Sequence, residues 1–231
     1  MLGLGMGLHK HKQKQIVRNG LVLYLDGKDF KNSPPTTSWD DRSGLGNNAT
    51  PSGMAYTTSS GADGVGGVVF DGVDDTMNFN SPLDFNEITV ELVFKLLVNN
   101  TVDNSGLVGN ASYQNYGWQI GFPFSDNRIG VACNGTLTET KLDPSYTLLV
   151  DTYYSIVLKY SLSSNLLSIY SEGVLLASRT PSAPKAISST NLLLGKSTQW
   201  AFRNNQSTKS LKVYNRALTD SEIRQNYNAS R

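Results

Sequence analysis

Three carboxylates, Asp71, Asp74 and Asp75, fall within the run Phe70-Asp71-Gly72-Val73-Asp74-Asp75. A hard cation such as calcium takes about six to eight oxygen ligands, and a cluster of this kind could supply part of a Ca2+ site. Short acids beside a glycine also cap turns by accepting from nearby backbone amides, so the same residues suit a plain turn. Little other chemistry is on offer. The only histidines, His9 and His11, stand far in sequence from the only cysteine, Cys133. No Cys/His nucleophile, zinc-spaced set, nucleophile elbow or P-loop can be assembled from that inventory. Cys133 has no partner for an intramolecular disulfide and reads as a small buried apolar residue.

The elements that must position these residues read as short strands separated by turns. Leu21 to Asp26, Val68 to Phe70, Thr76 to Phe79 and Ile88 to Leu97 lead the series. In the last of these, Ile88, Val90, Leu92 and Phe94 alternate onto one face, as a half-buried strand requires. Further strands are predicted at 107–108, 118–122, 128–132, 136–140, 153–160, 166–171, 174–178, 192–195 and 210–214. Residues 28–51, with paired prolines and the run Ser43-Gly44-Leu45-Gly46, read as loop. Gly72 is placed to take a positive φ between two strands. One helix is signalled, by the capping box Thr219-Asp220-Ser221-Glu222 followed by Ile223 and Tyr227 four apart. Trp118 opens an apolar strand and is expected in the core, and Trp39 at its edge. Many short strands with one terminal helix predict an all-β, two-sheet antiparallel sandwich.

Charge separates an arm from a body. Four of the 20 basic residues, Lys10, Lys12, Lys14 and Arg18, lie in the first 18 positions with no acid among them, which leaves 16 against 19 acids beyond. A mildly acidic body lacks the clustered cations of a specific nucleic-acid-binding face. The division is a glycine-rich basic arm at 1–19 and one domain at 20–231. The apolar start, Met1 to Leu8, precedes its lysines, the reverse of a secretory signal, and no later run has the length of a membrane span. No membrane insertion is expected.

Seven segments in order resemble the laminin-G-like family of the concanavalin A-type lectin/glucanase superfamily. They are GLVLYLDGKD at 20–29, WDDRSGLGNNAT at 39–50, VVFDGVDDTMNF at 68–79, ITVELVFKL at 88–96, the run 153–178, LLLGKS at 192–197 and LKVYNRALTDSEIRQNY at 211–227. The resemblance implies a jelly-roll sandwich with one short C-terminal helix and an extended N-terminal arm. It also implies that calcium could sit on Asp71, Asp74 and Asp75, as in some relatives. Relatives that are glucanases carry a Glu-x-Asp-x-x-Glu strand. Here the comparable strand, Glu87 to Leu92, lacks that triplet, and Glu91 alone cannot be both acid and nucleophile. A non-enzymatic module is therefore expected, with a glycoside hydrolase the remote alternative. Lectin-like relatives hold sugars on loop aromatics and adjacent polar groups, which selects Trp200, Tyr116, Tyr113, Arg203 and Asn205 as ligand contacts. The opening also resembles that of phage structural proteins bearing such a domain. That implies a virion protein (head fibre, capsid decoration or tail protein) docked on capsid, portal or tail through Leu2, Leu4, Leu8, Lys10, Lys12 and Lys14. A homo-oligomer and contact with host-surface glycans are the further expectations.

Overall fold

In the computed structural model of the chain, residues 15–33, 38–111, 117–133, 146–196 and 204–230 are described. Strands run in the order β1 Leu21–Asp26, β2 Thr50–Ser52, β3 Gly61–Ala62, β4 Val68–Asp71, β5 Thr76–Asn78, β6 Glu87–Leu96 and β7 Ser105–Gly109. They continue with β8 Trp118–Phe122, β9 Gly130–Cys133, β10 Tyr154–Ser161, β11 Leu166–Ser171, β12 Val174–Arg179, β13 Leu193–Leu194 and β14 Asn205–Tyr214, and helix α1 spans Asp220–Ala229. The strand predicted at 136–140 lies outside the described residues.

Two antiparallel sheets face one another. The eight-stranded sheet has the order β12-β11-β10-β6-β14-β4-β3, with β1 also paired to β14. The second side of β14 is thus shared: β4 pairs with Asn205–Thr208 and β1 with Ser210–Tyr214. The six-stranded sheet has the order β2-β5-β13-β7-β8-β9. Alternation decides which side chains meet between the layers. From β6, Ile88, Val90, Leu92, Phe94 and Leu96 enter one core cluster with Met77, Trp118, Ile120, Phe122 and Leu194 of the facing sheet. Trp118 is fully buried, and Trp39 is buried with its indole N–H donating to the Asp26 carbonyl at 2.9 Å. The fold is the predicted two-sheet antiparallel sandwich with one C-terminal helix.

Two expectations need correction. Thr50 and Pro51, read as loop, belong to the strand Thr50–Ser52, because its backbone pairs with β5 at the end of the six-stranded sheet. A proline is tolerated at such an edge, where its missing N–H breaks no ladder. β14 begins at Asn205, five residues before the predicted start. Its first half is polar, yet Gln206 and Thr208 are fully buried opposite Leu96 and Phe94. Pairing with neighbours on both sides overrides the loop-like composition.

Helix α1 lies on the outer face of the eight-stranded sheet. The Thr219 side chain accepts from the Glu222 amide and the Glu222 carboxylate accepts from the Thr219 amide, the predicted capping box. Arg216 holds the same carboxylate through two bonds of 2.9 and 2.6 Å. Ile223 packs with Val17, Leu21, Val157, Tyr170, Tyr214 and Leu218 in a second apolar cluster. The chain is fastened here from Gln15 onward. The Val17 amide donates to Asn226 Oδ1 at 2.7 Å, and its carbonyl accepts from the Tyr214 hydroxyl at 3.2 Å.

Candidate functional site

The helix covers only part of the outer face. Outward positions on β1, β14 and β6 beyond its C-terminal end are occupied by Tyr24, Lys209, Val93 and Lys95, with Tyr153 just before β10. They line a groove that crosses β10, β6, β14 and β1. At one end Tyr153, Tyr154, Ser155, Glu172 and Tyr227 surround a cavity of about 260 Å3. It shares Val93, Lys209 and Ser230 with a cavity of about 440 Å3 over Tyr24, Asp26 and Lys28. Three gaps between strands spaced about 4.8 Å apart make the crossing roughly 14 Å long.

Each tyrosine is held in place by its neighbours. Lys209 sits at an irregularity in the β14–β6 pairing, between Thr208 opposite Phe94 and Ser210 opposite Val93. Such a bulge re-aims one side chain, and here the Lys209 ammonium stands 3.8 Å from the centre of the Tyr153 ring. Lys95 approaches the same ring at 5.5 Å and bridges to Asp151 at 3.2 Å. Among the described residues Lys209 makes no salt bridge. The Tyr153 hydroxyl donates to Asp63 Oδ2 at 3.4 Å and bonds Ser207 Oγ at 3.1 Å. Gly67 is required beside them, since a β-carbon there would lie 2.2 Å from Ser207 Oγ and 2.4 Å from Asp63 Oδ2. Burial alone would raise the Asp63 carboxyl. The Gly67 and Val65 amides and the Ser207 and Tyr153 hydroxyls outweigh it and hold the acid below the usual carboxylate range.

Tyr24 is framed by Arg18, Arg42 and Lys212 at 6.0, 5.7 and 5.4 Å from its ring. Its hydroxyl donates to Asp26 at 3.2 Å, and burial, then the Asp26 charge, pushes its pKa up. Beneath it Lys212 and Glu91 form a buried ion pair at 3.2 Å, with both side chains almost free of solvent. Glu91, the acid weighed for catalysis, is therefore committed to a structural pair.

The sequence-selected residues fare differently. Tyr113, Tyr116, Trp200 and Arg203 lie outside the described residues, as do Leu2, Leu4, Leu8, Lys10, Lys12 and Lys14 of the arm. Asn205 is in a strand rather than a loop, opposite Asp71, and lines a neighbouring cavity of about 420 Å3 with Lys95 and Ser207. Asp71, Asp74 and Asp75 do converge, with one oxygen of each within 4.8 Å of the others. Gly72 takes the expected positive φ, +79°. Asp75 is buried and accepts from the Asp71 amide at 2.9 Å and from Ser60 Oγ at 3.0 Å, while Asp71 accepts from the Val73 amide at 2.7 Å. Burial pushes the Asp75 carboxyl up. The donors are right in kind for calcium and short in number; two of their oxygens already accept from amides of the turn and a third from Ser60. The arrangement fits a turn rather than a complete calcium shell.

Tyr24, Tyr153, Tyr154 and Lys209 were not selected from the sequence. Tyr24 offered a signal: it alternates with Leu23 and Leu25 and so faces away from the core that they fill.

The chain belongs to the concanavalin A-like lectin/glucanases superfamily, whose laminin-G family model matches residues 71–224. A comparison with curated protein sequences found no match. Among solved structures, domain 4 of AbnA, a GH43 extracellular arabinanase from Geobacillus stearothermophilus in complex with arabinotriose, aligns with TM-score 0.67 at 16% identity, over 90% of this chain and 98% of that one. A Trypanosoma rangeli sialidase in complex with the inhibitor DANA aligns with TM-score 0.62 at 15% identity over 90% of this chain, which spans 32% of the sialidase's length. The binding domain of botulinum neurotoxin serotype D aligns with TM-score 0.61 at 14% identity, over 92% of this chain and 52% of that one. At these identities the likeness is one of fold.

Proposed function

We propose that this protein is a non-catalytic carbohydrate-recognition module that binds its ligand in the groove across β10, β6, β14 and β1. The observation that carries the reading is the row of half-buried tyrosines, Tyr24, Tyr153 and Tyr227, interleaved with Lys28, Lys209, Ser155 and Ser230. Aromatic faces stack on the C–H faces of sugars while hydroxyls and ammoniums take their oxygens, and a concave wall with few fixed polar groups orients the ligand. A domain of the same fold with arabinotriose bound supports the ligand class.

The same groove argues against hydrolysis. Among the described residues its wall carboxylates are Asp26 on β1 and Glu172, which accepts from the Ser155 amide at the start of β10. Those strands are roughly 14 Å apart by strand spacing, beyond the ~5–9.5 Å over which two carboxylates flank one glycosidic bond. Binding to a glycan array, lost in Tyr153→Ala and retained in Glu172→Gln, is the expected result. Release of reducing sugar that Glu172→Gln abolishes would contradict it.

A second reading concerns display. The backbone of Val17 is bonded on both sides to Asn226 and Tyr214, so a load on the N-terminal segment reaches the domain through a fixed point. We read residues 1–14 as an attachment segment on a virion, with the groove presented outward. Co-sedimentation of the full chain with particles, lost when Leu2, Leu4 and Leu8 are changed to serine, is expected; sedimentation unchanged by those substitutions would reject it.

A further inference from the structure

The groove does not stop at Asp26. The cavity over Tyr24 shares Lys28, Val65 and Gly66 with another of about 490 Å3 beside Phe30, Lys31 and Asn32. Three cavities thus stand in series, joined first at Val93 and Lys209 and then at Lys28 and Val65. A pocket for one terminal sugar would be a single recess with a closed end.

Val65 stands at the second junction on the loop Asp63–Gly67. This loop is braced from within: the Val65 and Gly67 amides both donate to Asp63 Oδ1 at 2.8 Å, and the Asp63 amide donates to the Gly67 carbonyl at 2.9 Å. It is braced from outside by Ser207 Oγ, which donates to Asp63 at 2.9 Å. A self-bonded, anchored loop therefore holds an isopropyl group out in water at 76% exposure. Val65 lines three cavities around this loop. A ligand that runs from the cavity over Tyr24 into the one beside Phe30 must pass this side chain, which lines both.

We infer that the groove takes an internal stretch of an extended polysaccharide, several sugar units long, and that Val65 packs on the apolar face of a unit near the middle. The inference rests on the carbohydrate reading and deepens it: the ligand is a chain, recognised away from its ends. Val65 is then a specificity-determining residue that rewards length, because only a ligand reaching past Lys28 touches both Tyr24 and the cavity at Phe30.

The test uses the full chain. Soluble arabinan, xylan and mixed-linkage β-glucan are screened by affinity electrophoresis, and the mono- to hexasaccharides of a retarding polymer are then titrated by calorimetry. Affinity is expected to rise by about tenfold or more from the disaccharide to the hexasaccharide, a difference of ~1.4 kcal/mol. Val65→Ser should remove most of that rise, and Val65→Leu should keep it. Equal affinity for short and long oligosaccharides, or a hexasaccharide affinity unmoved by Val65→Ser, overturns the inference while the carbohydrate reading stands. Absence of binding to all three polymers and to a glycan array overturns both. The thermal melting of each variant serves as the folding control, and the exposure of Val65 predicts that it will not move.

Discussion

The outer face of the eight-stranded sheet has two halves built from the same strands. Over one, α1 and Val17 bury Leu21, Val157, Tyr170 and Tyr214. Over the other, Tyr24, Tyr153 and Lys209 line open cavities. Tyrosine serves both, and its partners decide the outcome. The Tyr214 hydroxyl donates to the Val17 carbonyl and accepts from Asn226 Nδ2 at 2.9 Å, and burial followed by the Glu91 charge drives its pKa far up. Tyr153 instead is half-buried, with two ammoniums within 5.5 Å of its ring centre. The sealed half is an extension of the core, and the open half is a surface kept rigid for something else to cover.

That contrast can be broken in order of effect. Lys212→Met strands a buried Glu91 carboxylate, and a loss of about 3–5 kcal/mol is expected in urea unfolding. Pairing it with Glu91→Leu should restore most of the loss. In the sealed half Ile223→Ala leaves a cavity under α1 and should cost about 2–4 kcal/mol, with ligand affinity unchanged at temperatures where the variant is folded. In the open half the effect should fall on binding instead. Tyr153→Ala is expected to weaken carbohydrate binding by about 2 kcal/mol, as for a central contact residue, and to cost only about 1 kcal/mol of stability for the lost hydroxyl bonds. Tyr153→Phe should keep the binding.

The smallest effect is a pH dependence at the helix start. Arg216, with the Thr219 amide and hydroxyl, outweighs burial and lowers Glu222 from its ordinary 4.5 to about 2. A carboxylate depressed on folding contributes its stability in full above the unfolded pKa and loses it as pH falls through the folded one. Stability from this residue should therefore decline between about pH 4.5 and 2. Glu222→Gln should flatten that part of the acid-unfolding profile at a cost below about 1 kcal/mol near neutrality.

Sequence legibility follows how local each feature is. The alternation of Ile88, Val90, Leu92 and Phe94 and the box from Thr219 to Glu222 are written over a few residues, and both appear as read. The acids at Asp71, Asp74 and Asp75 meet because one turn brings them together. The first half of β14 was illegible because Gln206 and Thr208 look like loop residues until strands on both sides bury them. The groove was illegible for a related reason. Tyr24, Tyr153 and Lys209 come from distant parts of the chain and meet only through the β1–β14–β6–β10 pairing order. A search for aromatics in polar loops cannot find a site whose aromatics stand on strands or at their ends.

The central claim is that the open half, and not another part of the surface, is where carbohydrate binds. The direct measurement is a backbone amide NMR titration of the full chain with the tightest oligosaccharide. The largest shifts are expected at Tyr24, Val93, Tyr153 and Lys209, with Val157 and Ile223 unmoved. Shifts confined to residues 71–75, 112–116 and 197–203, with Tyr153 and Lys209 silent, would contradict it.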